Sequence, residues 1–296
     1  MAQNPPALDQ EYVHVALTSD ENTIVGTVAA VNSIWKNSRS PVKFLLLTND
    51  VAYPMMKQWI ENTELRDITY DLKQFDASLM NYARFFYPIL FPDVHGRVVH
   101  VDDDCIVQGD ITELANTAIK DGHICAVSED SNPISSKYNF YQSVYPDFIN
   151  FEHPEIQKIG LNAQQSSFNV GVYVMDVDRW REANITDQVF YWTELNSRED
   201  VYGSGKIMGG SQPPMMISLH DRVSLFEPIW HVRELGASAG TRYTRDFIET
   251  AKLLHWNGSF KPWKGTSAFG DIWDKYYVAD PSGKVTLPPK AQNRKL

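Results

Sequence analysis

Short apolar runs alternate with amphipathic stretches along the chain. Residues 14–18 (HVALT) alternate in polarity as a strand does and run into the polar turn Ser19-Asp20-Glu21-Asn22. A helical spacing follows over about 23–35. The run 42–47 (VKFLLL) is almost continuously apolar, the pattern of a strand covered on both faces. Next come a helix over 53–61, a strand over 68–72 and a helical stretch that contains Tyr82-Ala83-Arg84-Phe85-Phe86-Tyr87. Residues 97–101 read as a short buried strand that leads directly into Asp102-Asp103-Asp104. Asp110-Ile111-Thr112-Glu113 has the form of a capping box opening a helix. A strand over 124–127 ends at Ser128-Glu129-Asp130, a stronger one covers 168–175, and Trp180 and 186–195 are helical. Residues 131–165 are polar and aromatic with weak periodicity, which predicts a long loop with short helices. Glycines cluster over 203–210 and predict a mobile loop; the polar, proline-containing stretch after Pro281 predicts an extended tail.

Strand alternating with helix predicts an α/β fold with a mostly parallel sheet and helices on both faces. Such sheets bind ligands beyond the carboxyl ends of their strands. The three aspartates stand at such an end.

Composition narrows the partners. The 296 residues are 43% hydrophobic and 22% charged, enough for a sizeable core in one large domain, and neither a repeat nor a linker divides them. A net charge of −10 argues against nucleic acid. An anionic substrate then needs a metal or a placed Lys or Arg. No apolar run approaches the ~20 residues of a membrane span, and residues 1–10 do not have the form of a signal peptide. The two cysteines, Cys105 and Cys125, lie in apolar strand-like stretches and are expected to be buried free thiols.

Three segments carry chemistry. In an extended segment alternate residues face the same way, so Asp102 and Asp104 project together and Asp103 points elsewhere. Two convergent carboxylates repel unless a cation lies between them, and hard oxygen ligands suit Mg2+ or Mn2+. A solvated acidic turn is the competing reading; the apolar runs on both sides argue against it. The second segment is Leu253-Leu254-His255-Trp256-Asn257-Gly258-Ser259-Phe260-Lys261. His255 would complete a metal shell, Gly258 would let the backbone approach a phosphate, and Lys261 would add positive charge. A lone histidine after an apolar pair is more often a core or surface residue, and the Gly and Lys weaken that reading without removing it. The third is Thr18-Ser19-Asp20-Glu21-Asn22, whose short polar side chains can hold a base and a ribose; Asp20 or Asn22 can equally serve as an N-cap. Neither G-x-G-x-x-G nor G-x-x-x-x-G-K-[ST] occurs, which disfavours a dinucleotide dehydrogenase and excludes a P-loop nucleotidase.

In their order and spacing, six segments resemble glycosyltransferase family 8, with the animal glycosyltransferase 8 domain-containing members nearest. They are Asn81 to Phe85, Val101 to Asp110, Ser167 to Val172, Trp230 to Arg233, Gly236 to Gly240 and His255 to Trp263. The likeness covers roughly 12–285 and implies one GT-A catalytic domain, with 1–11 and 286–296 as flexible tails. It also implies a UDP-sugar donor, Mn2+ (or Mg2+) as cofactor, and a glycan or protein acceptor. Asp102, Asp104 and His255 match the metal ligands. Gly258 and Lys261 match the diphosphate loop, and Leu17, Thr18, Asp20 and Asn22 match the uridine turn. Arg84, Asp103, Asp130 and Asn169 match positions near the donor sugar, and Gln212 matches a glutamine on its reacting face. Arg84, Asp130 and Gln212 are the candidate catalytic residues. The bacterial members have Asp where Ser211 stands, and an aromatic near the uracil is replaced by Thr23.

Family 8 enzymes retain the anomeric configuration. No carboxylate in the matched motifs stands out as a covalent nucleophile, and Gln212 is a poor one, so a front-face reaction is expected. The resemblance also implies a Golgi-lumen protein with an N-terminal anchor absent from this chain, and it is compatible with a homodimer. Asn184-Ile185-Thr186 has the form of an N-glycosylation acceptor. Two rivals remain: a GT-A protein that binds a nucleotide sugar without transferring it, and a nucleotidyltransferase, disfavoured because 18–23 contains no glycine.

Overall fold

A computed structural model describes residues 12–130, 138, 142–203, 210–238 and 242–288. The expected tails 1–11 and, from 289, the C-terminal end lie outside these residues, as do 204–209 of the expected glycine-rich loop and most of 131–141.

Strands β1 (Val13–Ser19), β2 (Val42–Thr48) and β3 (Thr69–Gln74) are separated by helices α1 (Ile24–Asn37) and α2 (Ala52–Glu61). The expected helix around Arg84 is a 3-10 segment, Ala77–Phe85, followed by the short α3 (Tyr87–Leu90). Then come β4 (Arg97–Val101), β5 (Cys105–Val107), α4 (Ile111–Ala115) and β6 (Cys125–Glu129). The stretch read as a loop with short helices holds α5 (Pro154–Ile159) and a 3-10 turn at Tyr145–Asp147. The rest is β7 (Phe168–Asp176), α6 (Val177–Glu182), α7 (Ile185–Arg198), α8 (Gln212–Ser218), β8 (Val223–Leu225), α9 (Arg245–Thr250), β9 (Leu253–His255) and α10 (Gly270–Asp274).

Seven strands form one sheet in the order β3-β2-β1-β4-β7-β6-β8. β3, β2, β1 and β4 run parallel, β7 is antiparallel to both β4 and β6, and β6 and β8 are parallel. The sheet is therefore mostly parallel, as expected, with one reversed strand at its centre. Alternate strand residues feed two cores. Val15, Leu17, Phe44, Leu46, Val99 and Val174 face the side covered by α1 and α2. Ala16, Leu45, Leu47, Val98, Tyr173 and Met175 face the side covered by α6, α7 and α8. A sheet buried on both faces explains the near-continuous apolar run in β2. Cys105 and Cys125 are both free and buried, one in each core.

At Asp110 only half of the capping box forms. Its carboxylate accepts from Thr112 N at 3.1 Å, but Glu113 pairs with Lys252 instead of returning to the Asp110 backbone.

Two contacts anchor the aspartate segment. Asp102 N donates to Gly171 O of β7 at 2.8 Å. Beyond the aspartates, β5 leaves the main sheet and pairs antiparallel with β9, with Cys105 opposite His255. That ladder delivers His255 to the aspartates across about 150 residues of chain. Gly26 on α1 sits beneath: a Cβ there would lie 2.4 Å from the Asp103 carbonyl and 2.6 Å from the Trp263 ring. Gly26→Ala is expected to destabilise the fold by about 1–3 kcal/mol through overpacking. Urea unfolding measures this, and an unchanged midpoint would show that the helix shifts freely.

Candidate active site

The C-terminal ends of β1 and β4 and the start of β7 meet at one edge of the sheet. A cleft of about 160 Å³ opens there, lined by Thr18, Ser19, Asp20, Thr23, Met80, Asn81, Arg84 and the three aspartates.

Asp102 and Asp104 both turn toward one imidazole. His255 Nε2 is 2.9 Å from Asp104 Oδ1 and 3.9 Å from Asp102 Oδ2. Asp104 Oδ1 is buried and accepts no hydrogen bond of acceptable geometry, even from that ring. A buried carboxylate oxygen 2.9 Å from a ring nitrogen, with a second carboxylate 3.9 Å from the same nitrogen, is a donor set that suits a divalent cation. The other oxygen, Oδ2, is contacted by Lys261, whose Nζ also donates to Trp256 O at 3.0 Å. Asp102 Oδ1 is held by Arg84 Nη2 and by His100 Nε2, each at 3.0 Å. Arg84 is itself fixed by a 2.7 Å bond to Val170 O.

The electrostatics follow from crowding. Burial alone would raise the Asp104 carboxyl, but His255 and Lys261 outweigh it and hold the group below the usual carboxylate range. Burial likewise opposes Asp102, and Arg84 and His100 bring it down. Asp103 goes the other way: burial first, then its two aspartate neighbours, push it well above the ordinary value, and the Thr23 hydroxyl is its hydrogen-bond partner. His100 is lowered to about 4, mainly by burial. Cys105 Sγ lies within 4.8 Å of ligand atoms on Asp104 and His255. Burial, then the neighbouring aspartates, raise its thiol well above the ordinary value. Asp104, Cys105 and His255 together could hold a metal ion, although a soft sulfur suits Mg2+ or Mn2+ less well than a carboxylate does.

The other expected residues fall into groups. Thr18 and Asp20 line the cleft with Arg84 and Asp103. Asp20 Oδ1 accepts from Asn22 N at 2.9 Å and Thr23 N at 3.0 Å, so it caps the turn as well. Leu17 has its side chain wholly in the core, leaving only its main chain to face a ligand. Asn22 is exposed and stands outside the cleft lining. Asn169 accepts from Gly171 N at 2.8 Å, beside Asp102 and His255. Gly258 adopts φ +103° and packs against the Gly236 backbone, which a side chain would prevent. Asp130 has partners within the protein. It is buried, its carboxylate is taken up by Arg233 and by the Ser167 hydroxyl, and its N–H donates to Ser167 O at 2.7 Å. Gln212 opens α8, buried, with Nε2 3.7 Å from Met216 Sδ; among the described residues no hydrogen bond ties it to the aspartates.

Reading the motifs did not assign His100, His231, Gly171 or Arg233 a part. His231 and Arg233 lie in a matched segment, and their alternation with Val232 was the available signal.

The model of the family described as glycosyl transferase family 8 matches residues 14–267. The chain belongs to this family. The mouse glycosyltransferase 8 domain-containing protein 1 is 36% identical over 96% of this chain and 82% of its own length. The human protein of that name is 37% identical over 94% and 80%. Among solved structures, the WbbM bifunctional glycosyltransferase superposes with a TM-score of 0.69 at 20% identity, covering 95% of this chain and 52% of its own. The galactosyltransferase LgtC in complex with donor and acceptor sugar analogs gives 0.66 at 16%, covering 94% and 98%. The chain thus has the GT-A fold of a family 8 glycosyltransferase.

Gly171 packs directly against the Asp102 and His255 side chains. A Cβ there would stand 2.5 Å from His255 Cε1 and 2.7 Å from Asp102 Oδ2. Gly171→Ala should therefore spread the two ligands and weaken divalent-cation binding about tenfold or more, the scale seen when ligand orientation is disturbed. Calorimetric titration with Mn2+ tests this, and wild-type affinity in the variant would contradict the shared contact.

Proposed function

We propose that this glycosyltransferase is a retaining enzyme that takes a sugar from a UDP-sugar, with Mn2+ or Mg2+ held by Asp102, Asp104 and His255. The observation that carries the metal assignment is the approach of Asp104 Oδ1 and Asp102 Oδ2 to His255 Nε2, at 2.9 and 3.9 Å. A bound divalent cation supplies Lewis-acid neutralisation of the charge that builds on the departing diphosphate. The residues do the rest. Lys261 and the backbone at Gly258 offer positive charge and close approach to phosphate oxygens. Thr18, Asp20 and the main chain at Leu17 form the wall for uridine, with Asn22 at its outer edge. Asp103, whose carboxyl is pushed up by burial and its two aspartate neighbours, faces Thr23 and is a candidate for the donor-sugar side. Arg84 fixes Asp102, and Asn169, Asp130 and Gln212 are the other candidates for that side.

For the transfer we infer a front-face course. The bond from the anomeric carbon to the β-phosphate oxygen breaks and the acceptor oxygen bonds to that carbon on the same side. The acceptor proton passes to the departing phosphate. Gln212 is an amide, and Asp130 is engaged by Arg233 and Ser167, so neither is a free nucleophile. The acceptor is a glycan or protein. A Golgi-lumen setting agrees with an exposed Asn184 in the Asn184-Ile185-Thr186 acceptor pattern, whereas Asn257 of the second such pattern is bonded to Glu234.

The test is release of UDP from a panel of UDP-sugars. Turnover should vanish with EDTA, return with Mn2+, and fall roughly 100-fold or more in Asp104→Ala. Equal turnover in that variant, or turnover unaffected by EDTA, would refute the metal assignment. Binding of UDP-sugars without any turnover would favour a nucleotide-sugar-binding protein instead.

A further inference from the structure

His231 has no part in the chemistry above, yet it is buried directly behind His255. It follows the 3-10 turn Pro228–Trp230 and is 1% exposed. Its Nε2 lies 2.9 Å from His255 Nδ1, and the two rings are nearly coplanar, 10° apart with centroids at 5.2 Å. This is edge-to-edge contact along a hydrogen bond. The main chain builds it in: Val232 N donates to Leu253 O at 3.0 Å and His255 N donates to Val232 O at 2.9 Å. The other ring nitrogen, His231 Nδ1, has no hydrogen-bond partner among the described residues. The ring's one hydrogen bond is to His255, and accepting there at Nε2 puts the ring's own proton on Nδ1.

One proton lies between His231 Nε2 and His255 Nδ1, and its owner decides what His255 can do. Held by His255 Nδ1, it leaves a lone pair on Nε2, aimed at Asp104 and Asp102. Held by His231, it makes His255 carry its own proton on Nε2, which then has nothing to offer a cation.

We propose that His231 is a positioning residue: a neutral acceptor that holds His255 with its proton on Nδ1 and its Nε2 lone pair toward the two aspartates. The proposal rests on the metal assignment above. Ligating histidines generally hand their second N–H to an acceptor, most often a carboxylate or a carbonyl. A carboxylate at position 231 would add a fourth negative group behind Asp102, Asp103 and Asp104. An imidazole supplies the lone pair without the charge.

The test is calorimetric Mn2+ binding to the full chain without nucleotide. His231→Phe keeps an apolar ring and removes the acceptor, and Mn2+ affinity should fall roughly 10–100-fold. His231→Gln keeps an acceptor and should recover most of that loss. Wild-type affinity in His231→Phe overturns the proposal, as does His231→Gln as weak as His231→Phe with unchanged melting temperatures. Asp104→Ala separates the two levels. If it too binds Mn2+ normally, the metal assignment itself has failed; if it alone loses binding, only the role of His231 has failed. Should His231→Phe not fold, nitrogen-15 histidine spectra of the wild-type protein with Mg2+ decide. A proton on His255 Nδ1 supports the assignment and one on Nε2 contradicts it.

Discussion

Asp102, Asp103 and Asp104 place three carboxyl groups in one partly buried corner, and their mutual repulsion sets the requirements for everything around them. The neighbours divide the problem. Arg84 and His100 take Asp102, Lys261 and His255 take Asp104, and Asp103 is pushed toward its protonated form beside Thr23. What remains is Asp104 Oδ1, buried and facing the His255 ring nitrogen at 2.9 Å. In a low-dielectric setting such an oxygen is costly to leave alone. A cation at that point would satisfy Asp104 and bring Asp102 and His255 into the same shell.

The fold serves this corner by bringing four distant stretches together. β4 ends at the aspartates. β7, running the opposite way, places Gly171 beside them and accepts Asp102 N. The β5–β9 ladder sets His255 opposite Cys105, and the segment 231–233 runs alongside it. Two glycines make room. Gly171 lets His255 and Asp102 close over the sheet, and Gly26 lets α1 come up under Asp103. The packing there is tight enough that small side chains are a condition of the site, as expected of interiors that deform little.

Much of this was legible in the chain. β1 to β4 and the helices between them follow from periodicity, because a doubly covered sheet writes itself as apolar runs between amphipathic stretches. The direction of β7 was not legible, since an apolar run has no polarity of its own. The 3-10 form of 77–85 was hidden because helical spacing does not separate the two kinds of helix over so short a span. Alternation in an extended segment brings Asp102 and Asp104 together, and the resemblance joins His255 to them; in the structure the two carboxylates lie 3.9 and 2.9 Å from His255 Nε2. Asp130 is matched to the donor-sugar side by resemblance alone, and its ion pair with Arg233, about 100 residues away, is made only by the fold. His231 and Gly171 escaped for the same reason. Both lie in matched segments, but their meaning is a contact across the chain, which the segments alone do not show.

The most direct test of a shared cation is pulsed electron paramagnetic resonance of the protein with Mn2+. Coordination by one imidazole and two carboxylates predicts nitrogen-14 modulation from a single histidine, lost in His255→Ala. A Mn2+ spectrum without nitrogen coupling, or one unchanged by that substitution, would contradict the convergence of Asp102, Asp104 and His255 on one metal ion.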